Sequence, residues 1–108
     1  MKKAVIAIGS NSTRLIVGEC TDGVIRDRYV GRAETKLFMG LGEGNALSSE
    51  AMLYTVDSLA ALKEEAQQRG AADVDLLATS ATRDASNADV FEKLIWARTG
   101  LKLRVISG

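Results

Sequence analysis

The chain has 108 residues, 46% of them hydrophobic and 26% charged, with Lys plus Arg equal to Asp plus Glu at 14 each. That is room for one modest domain burying roughly two thirds of its unfolded surface, and the mixture is too apolar and too neutral for intrinsic disorder. A zero net charge removes the basic excess that would argue for nucleic acid or a membrane surface as partner. With no histidine and a single cysteine, the chain has no His-based triad, no His metal site and no internal disulfide, and a reducing cytoplasmic setting fits. The apolar run after Met1-Lys2-Lys3 is too short for a signal peptide or a membrane span.

Ala4 to Ile8 is an unbroken apolar run ending at Gly9 and reads as a buried strand. Gly9-Ser10-Asn11-Ser12 has turn composition, and Leu15-Ile16-Val17 begins a second strand. Asp22-Gly23 is a favoured two-residue hairpin turn, because both residues tolerate positive φ. Val24 to Arg32 returns as a third strand with Arg26, Arg28, Val30 and Arg32 on one face, a pattern suited to a sheet edge or a solvated face. Leu37, Phe38 and Met39 form an apolar patch expected to enter the core. After the loop Leu41-Gly42-Glu43-Gly44, Ser48-Ser49-Glu50 supplies an N-cap and an acidic first turn. Met52, Val56, Leu59, Leu62 and Ala66 recur at helical spacing, and Gly70 is a stop. Val74 to Ala78 is a fourth strand, followed by the hydroxyl-rich loop Thr79-Ser80-Ala81-Thr82-Arg83. Ser86 or Asn87 can cap a second helix whose buried side is marked by Phe91, Leu94, Ile95 and Arg98, with Gly100 at its end. Trp96 on that helix is expected to pack. Leu101 to Ile106 is a fifth strand. The order β-β-β-α-β-α-β implies an α/β fold with a mixed sheet and helices packed on it.

Two loops have the composition to hold an anion. Gly9-Ser10-Asn11-Ser12 combines a glycine that lets backbone approach closely with side-chain donors and a tight turn. It is not the lysine-bearing loop of common ATPases, since no Gly-Lys-Ser/Thr follows, and by itself it reads equally as an ordinary hairpin turn. Thr79, Ser80 and Arg83 follow a strand and precede a helix, the place where ligands bind in open α/β sheets, although capping hydroxyls would look the same. Gly42-Glu43-Gly44 is a flexible loop and Cys20 a small strand residue.

Taken in order, these segments resemble the exopolyphosphatase and guanosine pentaphosphate phosphohydrolase family. Ile6 to Leu15 resembles its opening motif; Leu41 to Gly44 with Leu47 to Ala51, its next block; Ala78 to Asn87, its most specific block; and Thr99 to Leu101 with Val105 to Gly108, the strand that leads to the catalytic segment. The resemblance implies the actin-like ATPase superfamily and a ribonuclease-H-like lobe lacking its last helix, the chain being the N-terminal part of a longer hydrolase. It implies release of terminal phosphate from polyphosphate or guanosine pentaphosphate, usually with magnesium. Gly9, Ser10, Asn11 and Ser12 would form the first phosphate loop, and Thr79, Ser80 and Arg83 would contact the phosphate chain. Three departures stand out. Ala7 occupies the place of a metal-holding Asp, and hard cations want oxygen ligands. Gly40 replaces an Arg. The glutamate that would activate water is expected after Gly108. The implied expectations are that the chain binds phosphate ligands without cleaving them, with no catalytic and no metal-binding residue of its own, or serves as a non-catalytic binding module. A further expectation is self-association, as a homodimer, over the sheet face left uncovered by the missing helix.

Overall fold

The computed structural model describes residues 2–9, 11–37, 46–79, 82 and 84–106. The elements run β1 (Lys2–Ile8), β2 (Thr13–Thr21), β3 (Val24–Ala33), α1 (Ser49–Gln68), β4 (Asp73–Thr79), α2 (Ala88–Thr99) and β5 (Leu103–Ile106), the order expected from the sequence. The strands form one sheet in the order β3-β2-β1-β4-β5. β1 pairs antiparallel with β2 and parallel with β4, and β4 pairs parallel with β5. This mixed sheet, opened by a three-strand meander and closed by helix crossovers, is the ribonuclease-H-like arrangement.

Local chemistry explains each boundary. Asp22 and Gly23 both have positive φ, 52° and 77°, so the β2–β3 reversal is the mirror-image turn whose twist suits a hairpin. Ser48 caps α1 by accepting the Ala51 amide at 3.1 Å. At the other end Gly70, at φ 89°, donates to the Gln67 carbonyl while Ala71 donates to Ala66. That doubly bonded glycine terminus satisfies carbonyls the helix leaves open. Gly100, at φ 71°, closes α2 in the same left-handed conformation.

One hydrophobic cluster holds the layers together. From the sheet it takes Ala4, Ile6 and Ile8 of β1, Leu15 and Val17 of β2, Leu76 and Ala78 of β4, and Leu103 of β5. From α1 it takes Met52, Val56, Leu59, Leu62 and Ala66, the stripe read from the sequence, and from α2 Phe91 and Ile95. Ile6 lies opposite Leu15 and Leu76, and Leu76 opposite Leu103, so these strand residues share one face and both helices cover that face. Leu37 is buried as expected; Phe38 and Met39, like Gly40 and the Gly42–Gly44 loop, lie outside the described residues.

α2 corrects the sequence reading. Its buried residues are Phe91, Ile95 and Thr99, a single narrow stripe. Arg98 is exposed and stands 3.6 Å from Asp57 of α1, and Trp96 is 62% exposed rather than packed. Asn87 occupies the cap position without making a cap hydrogen bond. Its side chain instead accepts from the Leu47 amide at 2.8 Å and donates to the Leu47 carbonyl at 2.9 Å, tying the entry of α1 to the entry of α2. At the opposite sheet edge, β3 is fastened to α1. The Tyr29 hydroxyl donates to Glu65, and the Arg69 guanidinium lies 3.2 Å over the Tyr29 ring, a cation–π contact.

Candidate phosphate-binding edge

The site expected from the sequence depends on where β1 and β4 end. Their parallel register sets Ile8 beside Ala78, so Gly9 and Thr79 follow side by side at the same sheet edge. β5, parallel to β4, brings Ile106 beside Thr79. Three carboxyl ends therefore converge, and β1 is the strand at which pairing changes from antiparallel to parallel. In open sheets the crevice outside such a change of direction is where ligands sit.

The Gly9 turn is built for close approach. Its amide donates to the Ser12 carbonyl at 2.9 Å, extending the β1–β2 ladder one pair beyond Ile8 and Thr13. A Cβ on Gly9 would stand 3.0 Å from that carbonyl oxygen, tighter than most side chains adopt, so any larger residue here would push the Ser12 carbonyl back by a few tenths of an ångström; the approach, rather than φ, favours glycine. Asn11 is exposed and Ser12 half-buried, and the Lys36 amide donates to the Asn11 carbonyl at 2.8 Å. Beneath the turn, the hydroxyls of Thr13 and Thr35 meet at 3.0 Å, both buried. The segment after β3 thus braces the turn from behind. Nothing in the local sequence signals that bracing, because it joins residues more than twenty positions apart. A cleft of about 560 Å³ beside it is lined by Thr35, Lys36, Ser48, Glu50 and Tyr54 among others.

Of the expected contact residues, Gly9, Asn11 and Ser12 lie on this edge, and Thr79 is the last residue of β4 rather than the first of a loop. Ser10, Ser80 and Arg83 lie outside the described residues. Between β4 and α2, Thr82 and Asp84 have helical backbone where the sequence suggested an irregular loop. The Thr82 hydroxyl is buried without a hydrogen-bond partner among the described residues.

The donor set suits a polyanion. Turn amides and small hydroxyls can meet phosphate oxygens at short range. Among the described residues no three His, Cys, Asp or Glu groups cluster as a metal site, and Ala7, exposed one residue before the end of β1, offers no side-chain oxygen to a hard cation. No chemical step is assigned to magnesium. No described helix is long and apolar enough to cross a membrane.

Known proteins share this arrangement. The model of the Ppx/GppA phosphatase family matches residues 16–108. A guanosine-5'-triphosphate,3'-diphosphate pyrophosphatase of Pseudoalteromonas translucida is 38% identical over 107 residues, spanning 97% of this chain and 21% of that protein. One from Vibrio vulnificus is 34% identical over 105 residues, with 97% and 21% covered. A Ppx/GppA family crystal structure from Aquifex aeolicus superposes with a TM-score of 0.90 at 29% identity, over 99% of this chain and 35% of that one. An exopolyphosphatase structure from Cytophaga hutchinsonii, at 23% identity and TM-score 0.90 over 100% of this chain and 35% of its own, shares the fold. The chain thus spans about a fifth of these curated relatives and about a third of these solved chains. With the family model matched across all but the first strand and the start of the second, the chain belongs to the Ppx/GppA phosphatase family.

Proposed function

We propose that this chain is the phosphate-gripping wall of a phosphoanhydride hydrolase acting on inorganic polyphosphate or guanosine pentaphosphate, and that alone it binds such ligands without cleaving them. The observation that carries the reading is the register of β1 against β4, which puts the Gly9 turn and the end of β4 on one edge. Phosphoryl transfer is mainly positioning and charge neutralisation around an oriented water. Gly9, Asn11, Ser12 and Thr79, with Ser80 and Arg83 carried over by resemblance, supply the positioning half. By the resemblance, the base that activates water and the magnesium would come from parts of the enzyme other than these residues. A cytoplasmic setting accords with the single cysteine.

A second reading, a non-catalytic module that holds phosphate-rich ligands, is favoured by one observation. The exposed methyl of Ala7 stands where the resemblance expects a carboxylate. Titration calorimetry of the purified chain with inorganic polyphosphate and with guanosine pentaphosphate tests both readings. Binding is expected for at least one, with no magnesium-dependent phosphate release above a blank. Gly9→Ala, which forces the Ser12 carbonyl away, is expected to weaken binding at least tenfold, the equivalent of about 1.4 kcal/mol. Phosphate release by the chain refutes the claim of inactivity; failure to bind either ligand refutes the site.

A further inference from the structure

β5 ends the sheet. It pairs with β4 along one side, and no described strand takes the other, which leaves a row of backbone N–H and C=O groups open. Side chains alternate across this segment. Leu103 belongs to the core, and Leu101 and Val105 pack at its margin, while Lys102 and Arg104 are exposed on the opposite face. Neither cation forms an ion pair with a described residue.

α2 leaves a slot beside this edge. Arg98 reaches across to Asp57 of α1. Trp96, two residues earlier, stands about 200° around the helix, on the flank turned away from α1. There it walls a cleft of about 470 Å³ with Glu92, Lys93, Leu101 and Leu103. The walls are mainly apolar, yet Trp96 is 62% exposed, and the buried line of α2 runs through other residues. An indole over an apolar slot is the kind of side chain that anchors interfaces.

Slot and edge together select an occupant. A strand laid against β5 would satisfy the open backbone groups, and its successive residues would fall on opposite faces. Those on the helix side enter the slot and have to be apolar. Those on the other side come beside Lys102 and Arg104, where opposite charge is favoured and like charge is not. The inner edge of β5 already has a neighbour of that composition. β4 opens Asp73-Val74-Asp75-Leu76, and its register, continued one residue back from the Leu76–Leu103 pair, sets Asp75 beside Lys102.

We propose that the outer edge of β5 and the Trp96 slot form a docking site for an extended peptide segment of another protein in which apolar and acidic residues alternate. The proposal does not rest on ligand chemistry at the Gly9 turn.

Trp96 is the one tryptophan of the chain, so its fluorescence reports the slot directly. The probe is a synthetic seven-residue peptide in which glutamate alternates with valine, phenylalanine and valine. Titrated into the full chain, it should give a saturable blue shift of the Trp96 emission; no shift at millimolar peptide overturns the proposal. The same peptide with lysine for glutamate should bind at least tenfold more weakly, and equal binding overturns it. Of two versions N-methylated at alternate amides, the one blocked on the edge that meets β5 should lose binding; binding kept by both overturns the edge pairing. Lys102→Ser with Arg104→Ser, at exposed positions, should weaken the acidic peptide at least tenfold. Trp96→Ala should do the same by anisotropy of a labelled peptide, with unaltered far-ultraviolet circular dichroism. Undiminished affinity in either variant overturns the site. A blue shift that grows with chain concentration in the absence of peptide means that a second copy fills the edge, and overturns the proposal too.

Discussion

Replacing Asn87 separates two roles that its sequence position confounds. A cap residue before a helix can be Asn or Asp with little difference, so if Asn87 merely began α2, Asn87→Asp would be silent. In the structure its amide bridges the Leu47 N–H and C=O at 2.8 and 2.9 Å, and Leu47 is only 3% exposed. Asn87→Ala removes two hydrogen bonds worth about 1 kcal/mol each and leaves two buried backbone groups short of partners, at a cost of about 1–3 kcal/mol each where water cannot enter. Allowing for partial hydration, the expected loss is about 2–4 kcal/mol, a large share of a small domain's stability. Asn87→Asp keeps the acceptor and sets a carboxylate against the Leu47 carbonyl. It should lose about 1–3 kcal/mol at neutral pH, and recover part of that as acid protonates the side chain and restores a donor. Urea denaturation followed by circular dichroism, at neutral and mildly acidic pH, measures all three chains. An Asn87→Asp chain as stable as the unaltered one at neutral pH refutes the bridging role.

Three further outcomes follow from particular contacts. Thr13→Val strands the Thr35 hydroxyl in the core beneath the phosphate edge and should cost about 1–3 kcal/mol, while the double change to Val at both positions should recover much of it; an additive pair of losses in denaturant melts contradicts the coupling. Thr55, on α1, carries a buried hydroxyl without a partner among the described residues, so Thr55→Val should hold or raise the melting temperature, and a clear fall would mean the hydroxyl is satisfied. The Tyr29 phenol is held above its ordinary pKa of 10.0, chiefly by its hydrogen bond to the Glu65 carboxylate. A raised folded-state value favours the protonated form. Its stabilisation is therefore present below the unfolded pKa and is lost as pH rises through the folded one. The phenolate absorbance of Tyr29, read as the difference between the unaltered chain and Tyr29→Phe, should titrate at lower pH once Glu65→Gln removes the carboxylate; a Tyr29 titration unmoved by Glu65→Gln would contradict the contact.

What was legible in the sequence was whatever neighbouring residues decide. Asp22-Gly23 announced its turn because positive φ is a local property, and both residues adopt it. The α1 stripe was readable because a twenty-residue helix repeats its pattern often enough to fix a face. The four exposed side chains of β3, Arg26, Arg28, Val30 and Arg32, read correctly as an edge strand. α2 was harder because it has only twelve residues. Arg98 falls one helical turn after Leu94 and so mimicked the stripe, while the buried line runs through Phe91, Ile95 and Thr99. The exposure of Trp96 was not legible, because a large apolar side chain does not by itself choose a side of a helix. At the candidate site, the composition of the Gly9 turn was visible and the resemblance joined it to Thr79, but the pairing that sets them side by side was not. That depends on a parallel register between strands far apart in the chain, which leaves no mark in either segment. The bracing of Asn11 by Lys36 and of Thr13 by Thr35 is equally non-local.

The same register has a kinetic consequence. The meander β1-β2-β3 closes through short turns and can form early, on the microsecond scale of hairpins. The phosphate edge cannot, because Gly9 and Thr79 meet only after α1 has folded back and β4 has docked alongside β1. Closing so long a loop is entropically costly and slow. The binding edge is therefore among the last parts of the molecule to exist, and a ligand that grips it holds the finished topology rather than any single element. Such a ligand should act mainly on the unfolding rate, leaving the early meander, and so most of the folding rate, untouched.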